Sequence, residues 1–131
     1  MFPLYLLTAV IFLVLDAVVL KLVMQPVFER HLAGAMRDAP LVLPAAAFYL
    51  AYVAGLVWLV SGPAMLAGNP LEAALKGAVI GAMAYGTYEF TSMSVMRDWS
   101  WTMVALDTAW GTVLTGFAAW AGVAVMLRLA S

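Results

Sequence analysis

The sequence has no cysteine, a single histidine and few charged residues. Without cysteine there is no disulfide, no thiolate nucleophile and no cysteine-ligated metal. One histidine cannot form a cluster of histidine ligands within one chain. Charged residues make up 10% of the chain, and the net charge of −1 offers no basic surface to a nucleic acid. We therefore expect no metal site, no cofactor and no nucleic-acid partner.

Apolar residues take the place of the missing charge. They make up 66% of the 131 residues, and the mean hydropathy is +1.03. A soluble domain usually has about 25% charged residues and under half apolar ones. The excess apolar content must face lipid, so we predict a polytopic membrane protein whose surface contacts the bilayer.

Hydropathy predicts four membrane-spanning helices, at about residues 3–24, 41–60, 71–93 and 101–127. The predicted fold is all-α, a bundle of four transmembrane helices that forms a single domain over residues 1–131. The first apolar run has the length of a span rather than of a signal-peptide core, and no Lys or Arg precedes it. We therefore expect it to be retained as a helix.

The first connection, residues 25–40, has an amphipathic pattern. Phe28, Leu32 and Met36 recur every four residues, while charged residues occupy other positions. This pattern predicts a short amphipathic helix at the membrane interface between helices 1 and 2. His31 belongs to this segment, and we interpret it as a headgroup-facing side chain rather than a catalytic one.

The other two connections carry turn and capping signals. The second is rich in Gly and Pro and predicts a turn. At its end, Asn69, Pro70 and Glu72 suit the N-cap, first and third positions of helix 3. In the last connection, either Asp98 or Ser100 can cap helix 4.

Basic residues are unevenly distributed between the two ends of the predicted bundle. Four of the six flank the first and third connections, whereas Lys76 and Arg128 lie on the opposite side. The positive-inside rule then predicts that both termini lie on the non-cytoplasmic side of the membrane.

Three carboxylates fall at one predicted depth. Glu89 lies nine residues before Asp98 in the last connection, and Asp107 lies nine residues after it. Two antiparallel helices joined there bring both acids to the same level, about 13 Å along the axis at 1.5 Å per residue. Asp16 lies nine residues before Gln25, where helix 1 leaves the bilayer on the same side. We predict one acidic layer built from three helices.

Hydroxyl and aromatic side chains fall in the same layer. The same count along helix 2 reaches two tyrosines, two more precede Glu89 on helix 3, and a tryptophan lies one turn from Asp107. The candidate site for a ligand, proton or cation therefore consists of Asp16, Tyr49, Tyr52, Tyr85, Tyr88, Glu89, Asp107 and Trp110.

A charge at this depth is costly. Estimates for one charged side chain at the bilayer centre start near ~3 kcal/mol, so such residues face the bundle interior and find partners. Three ionised carboxylates at one level also repel each other. We expect that at least one is protonated at neutral pH, or that a cation lies among them.

Small residues recur every four positions on two of the predicted helices. Helix 3 has Gly77 and Gly81, and helix 4 has Gly111 and Thr115. Such seams let two backbones approach closely. We interpret them as packing surfaces within the bundle rather than as oligomer contacts.

The stretch from Tyr85 to Gly111 carries a recognisable pattern. It contains Tyr-Xaa-Thr-Tyr-Glu, then a turn with Arg-Asp-Trp, then Asp-Xaa-Xaa-Trp-Gly. This resembles the signature of a bacterial family of small four-helix membrane proteins, domain of unknown function 2177. Leu15-Asp16 and Phe48-Tyr49 resemble its first two helices. The resemblance spans nearly the whole chain and implies a multi-pass protein of the bacterial inner (cytoplasmic) membrane, with no activity to carry over.

Three classes of function fit these features. The favoured one is an intramembrane acidic-aromatic pocket that binds or transports a small cation or an amphipathic molecule. The second is a structural or accessory subunit of a membrane assembly, in which the polar layer only locks the helices together. The third and least favoured is a membrane enzyme acting on a lipid or quinone-like substrate, with Glu89 and Asp107 as acid and base. Four spans leave little room for a pathway, so transport would require a homodimer. Besides the lipid bilayer, the candidate partners are further copies of the chain in a homo-oligomer or another membrane protein.

Overall fold

The computed structural model describes residues 2–24, 26 and 42–130. These residues form four long helical units and no strand. The predicted all-α, four-helix fold is therefore confirmed. The amphipathic interfacial helix predicted between helices 1 and 2, together with His31, lies outside the described residues.

The first two helical units each contain a π-helical turn. Helix α1 runs over Phe2–Val19 and continues as the π-helical turn Leu20–Met24. Helix α2 runs over Val42–Leu56, continues as the π-helical turn Val57–Ser61 and ends with Gly62–Leu66. The two remaining helices are regular α-helices that occupy the second half of the chain.

Helix α3 is Pro70–Val95 and helix α4 is Trp101–Ala130. Both have the predicted capping residues at their N-termini. Asn69 accepts a hydrogen bond on Oδ1 from the backbone N–H of Glu72 at 3.2 Å. Ser100 accepts one on Oγ from the backbone N–H of Met103, also at 3.2 Å. Ser100, and not Asp98, is therefore the side chain that caps α4.

Helix α2 extends further than the sequence predicts, because Pro63 does not end it. Pro63 has no N–H to donate to the carbonyl four residues earlier. The wider π-helical turn Val57–Ser61, which ends two residues before Pro63, accommodates this missing hydrogen bond. The chain leaves the helix only at Gly68, whose φ of 65° lies in the left-handed region that favours glycine. The predicted end near residue 60 is therefore wrong by about one and a half turns.

Three helices in the described part of the chain are long and apolar enough to cross a membrane: Phe2–Val23, Leu43–Leu66 and Trp101–Ala130. Helix α3 has 26 residues, which is about 39 Å at 1.5 Å per residue, so it also has the length of a span. It is less apolar because Tyr, Thr, Ser and Glu occupy its second half. That half faces the candidate site.

The two glycine seams meet each other inside the bundle. A Cβ on Gly77 would lie 3.0 Å from the carbonyl oxygen of Thr115, and a Cβ on Gly81 would collide with the backbone of Gly111. Helices α3 and α4 form the most extensive helix pair of the described residues. The seams therefore allow this close approach within one chain, as predicted.

The hydrophobic core contains residues of all four helices, and the outer surface of the bundle is apolar. Leu4, Phe12, Val53 and Leu114 are among the buried core residues. Large apolar side chains on every helix are exposed on the outside, as a lipid environment requires. The three acids of the candidate site are buried inside the bundle, whereas Tyr88 is exposed at its surface.

Candidate functional site

A cavity of about 490 Å³ lies between the helices, and every helix contributes to its wall. Five of the eight predicted site residues line it, namely two acids and three tyrosines. The remaining lining residues are apolar. The complete lining is Asp16 and Leu20 of α1, Phe48 and Tyr49 of α2, Ala84, Tyr85 and Tyr88 of α3, and Asp107 of α4.

Asp16 is positioned by a hydrogen bond that crosses the bundle. Its side chain is buried at 4% exposure. Its Oδ1 accepts a hydrogen bond from the indole Nε1 of Trp110 on α4 at 3.1 Å. Asp16 thus reaches the cavity wall with one oxygen already held, while the predicted candidate Trp110 stands behind it and does not line the cavity.

Glu89 lies behind the cavity wall and is completely buried, at 0% exposure. Its Oε1 accepts a hydrogen bond from the indole Nε1 of Trp99 at 2.9 Å. Its Oε2 has no hydrogen-bond partner among the described residues. The side chain therefore has one satisfied and one unsatisfied carboxyl oxygen in a site without solvent access.

Asp107 connects the buried acid to the cavity. It lines the cavity and is 9% exposed. Its acidic neighbours are Glu89 on α3 and Asp16 on α1. The turn between α3 and α4 thus brings Glu89 and Asp107 side by side, as the equal spacing around Asp98 predicts.

Tyr85 reaches the cavity because the facing helix has a glycine. Its ring packs directly against Gly111, where any Cβ would collide with it. Its hydroxyl is buried and has no hydrogen-bond partner among the described residues. Gly111 therefore provides the space for this ring, and the hydroxyl is buried beside the cavity.

The other two lining tyrosines lie next to acids. Tyr49 is a neighbour of Asp16, and its ring contacts Phe48 edge-on with centroids 6.0 Å apart. Tyr88 contacts the ring of Trp99 edge-on at 5.8 Å. The cavity wall therefore contains both carboxyl groups and aromatic rings.

Tyr52, a predicted site residue, faces the core and does not line the cavity. Its hydroxyl forms a hydrogen bond with Oγ1 of Thr115 at 3.0 Å. Its ring stacks on Phe48 at 5.7 Å and contacts Tyr85 at 6.3 Å. Tyr52 thus supports two lining side chains from behind.

Sequence reasoning did not include Phe48, Leu20, Ala84 or Trp99 among the site residues. Phe48 directly precedes Tyr49, and neighbouring residues point in different directions around a helix, so residue spacing alone does not place Phe48 at the site. Trp99 could have been found from its position in the turn ten residues after Glu89, because an indole N–H there can reach back to a buried acid.

The described residues provide no cationic partner for these acids. The one ion pair among them joins Lys76 to Glu72 at 3.2 Å on the surface of α3. In the same part of the chain, no group of three His, Asp or Glu side chains is arranged to hold a metal ion. Among the described residues, these acids therefore have no Lys or Arg ion-pair partner.

Comparison with known proteins gives a family match. A family model described as "Predicted membrane protein (DUF2177)" matches residues 1–124. No curated protein and no solved structure matches the chain. The matched range contains all the residues of the cavity wall and both indole donors.

Proposed function

This chain belongs to DUF2177, a family of predicted membrane proteins, and we propose that it binds an organic cation in the cavity between its helices. We also propose that the chain is a multi-pass protein of the bacterial inner membrane with both termini outside the cytoplasm. The ligand has one positive charge and an apolar or aromatic body.

One observation carries the proposal: Asp16 and Asp107, from the first and last helices, lie on the wall of one cavity together with four aromatic rings. A charged side chain in the bilayer costs at least about 3 kcal/mol unless it has a partner. No Lys or Arg of the described residues forms an ion pair with either acid. A bound cation supplies the missing charge, and aromatic faces add about 0.5–2 kcal/mol through cation–π contacts.

The dimensions of the cavity favour an organic cation over a bare metal ion. Its volume of about 490 Å³ lies within the range of roughly 300–1,000 Å³ that is typical of small-molecule sites. Leu20, Phe48 and Ala84 on the wall suit apolar substituents. The acids are not grouped as a set of metal ligands in the described residues.

Binding of a matched ligand pair to the protein in lipid nanodiscs tests the proposal. Benzyltrimethylammonium and neopentylbenzene have the same shape, but only the first is charged. We expect calorimetric titration to detect saturable binding of the cation and none of the neutral isostere, with empty nanodiscs as the blank. Equal partitioning of both into protein-containing and empty nanodiscs would contradict the proposal.

Two substitutions test whether the cation binds in the cavity. Asp107→Asn and Asp16→Asn keep the side-chain shape and remove the charge, so each should weaken cation binding about tenfold or more, which corresponds to ~1.4 kcal/mol. Glu72→Gln is the matched control, because Glu72 pairs with Lys76 on the surface and does not line the cavity. Circular dichroism reports whether each variant remains folded.

A structural role is the second candidate, and specific contacts favour it. The bonds Trp110–Asp16 and Tyr52–Thr115 each join two helices. If the two Asp→Asn variants lose their helical packing and no cation binds the native protein, the polar layer serves to assemble the bundle. Uptake of the cation by proteoliposomes separates binding alone from transport.

A further inference from the structure

We infer that Glu89 is a proton-binding site coupled to the cavity, so that the protein exchanges one proton for one organic cation. This inference rests on the proposed function. It assigns a role to Glu89, which is fully buried and does not line the cavity.

The surroundings of Glu89 suit a carboxyl group that binds and releases a proton. The carboxyl is at 0% exposure, and its Oε1 is held by Trp99 Nε1 at 2.9 Å. Its Oε2 is buried without a partner among the described residues. A buried acceptor that makes no hydrogen bond is unfavourable, and it is more so when the group is ionised. A proton on this carboxyl removes the charge and can be donated to the neighbouring Asp107.

Among the described residues, the titratable neighbours of Glu89 and Asp107 are acids and tyrosines. Asp107 approaches Glu89 from α4, and Asp16 approaches Asp107 from α1. Tyr88 lies next to Glu89 on α3, and Tyr49 of α2 lies next to Asp16. No Lys or Arg of the described helices forms an ion pair with these acids. Within the described part of the chain, the charge of the pair is therefore offset by a proton or by a ligand.

Because of the position of Asp107, a proton on the Glu89–Asp107 pair and an organic cation in the cavity compete with each other. Asp107 contacts the cavity on one side and Glu89 on the other. When the cavity is empty, the pair Glu89–Asp107 holds one proton. When an organic cation binds against Asp107, the proton is released to water and both carboxyl groups are ionised. One positive charge enters as one leaves, so the total charge in the bundle does not change.

Proton release on binding gives the first test. Calorimetric titration with benzyltrimethylammonium in two buffers of different ionisation enthalpy counts the protons released. We expect about one proton per cation, and an apparent Kd that falls about tenfold for each unit rise in pH while the empty pair remains protonated. In Glu89→Gln we expect the cation to bind with less than half of that proton release.

Binding without proton release, or a release that Glu89→Gln does not change, overturns the inference and leaves the proposed function standing. Absence of cation binding at every pH overturns both.

An infrared measurement on the native side chain covers the case in which Glu89→Gln does not fold. The other glutamates of the sequence are Glu29 and Glu72. In the double variant Glu29→Gln, Glu72→Gln, labelling with ¹³C-glutamate marks Glu89 alone. We expect the C=O band of a protonated carboxyl to shift with the label in the empty protein and to disappear when benzyltrimethylammonium is added. A band that does not shift with the label, or that persists with cation bound, overturns the inference.

Discussion

Trp110 donates a hydrogen bond from its indole Nε1 to Oδ1 of Asp16, across 94 positions of sequence and a distance of 3.1 Å. This bond joins the first helix to the last and fixes the direction of a carboxyl group on the cavity wall. We expect Trp110→Phe to lower the free energy of unfolding by about 1–2 kcal/mol, between the values for average interhelical bonds in membranes and for bonds to charged groups.

Titration with SDS in mixed micelles, followed by circular dichroism, measures this change. Trp120→Phe is the matched control, because Trp120 lies on the same helix and is 41% exposed on the outer surface. Equal stability of the two variants would show that the bond to Asp16 contributes nothing to the fold.

The closest helix contact predicts the effect of one methyl group. In Gly81→Ala the new Cβ would lie 2.8 Å from the carbonyl carbon of Gly111 and 2.9 Å from Cβ of Thr115. Because a backbone cannot move aside as a side chain can, α3 and α4 must separate, at a cost of about 1–3 kcal/mol. Gly55→Ala has no atom within 4 Å of its Cβ and should be neutral or more stable by up to ~1 kcal/mol. Similar unfolding midpoints for both variants would contradict this account of the seam.

Tyr85→Phe tests whether the unpartnered hydroxyl belongs to a ligand. Removal of a buried hydroxyl without a partner should raise the free energy of unfolding of the empty protein by about 1 kcal/mol. The same change should weaken binding of benzylammonium several-fold, since its N–H groups can donate to the hydroxyl. Binding of benzyltrimethylammonium, which has no N–H, should stay the same. Equal losses for both ligands would mean that the hydroxyl does not contact the cation directly.

Phe48→Leu tests the aromatic part of the wall. Leucine keeps an apolar side chain and removes the ring face, so benzyltrimethylammonium should bind about 2- to 30-fold more weakly, which corresponds to ~0.5–2 kcal/mol. Phe117→Leu is the control, because Phe117 is 46% exposed on α4 and does not line the cavity. Unchanged binding in Phe48→Leu would exclude a cation–π contact at this ring.

The absence of native cysteine makes the predicted orientation simple to test. Single cysteines at Ser131 and Asp98 mark the C-terminus and the turn between α3 and α4. With both termini outside the cytoplasm, a membrane-impermeant maleimide applied to intact cells should label Ser131→Cys and not Asp98→Cys. The reverse labelling pattern would invert the orientation.

Relative level along the bundle axis could be predicted from the sequence, whereas direction around each helix axis could not. The spacing around Asp98 gives the level of Glu89 and Asp107, because the rise per residue is constant. Tyr49 and Tyr52 share a level by the same count, yet Tyr49 lines the cavity and Tyr52 bonds to Thr115. The rotation of α2 that separates them depends on how it packs against its neighbours, which residue spacing does not specify.

The same limit applies to the connections. The cap at Asn69 follows from residue type and spacing, and it is found as predicted. The continuation of α2 past Pro63 depends on a local change of helical hydrogen bonding that has no simple residue signature. The partner of Glu89 was missed because the direction of the Trp99 side chain is set by the fold of the turn.

The polar half of α3 affects how the helices of the protein insert into the membrane. A helix with buried Glu89 and several hydroxyl groups gains less from entering lipid alone than its three more apolar neighbours do. The glycine contacts with α4 shield this face as soon as the two helices pair. We therefore expect α3 and α4 to enter the membrane together as a helical hairpin, so that residues that line the cavity also affect the order in which the chain is integrated.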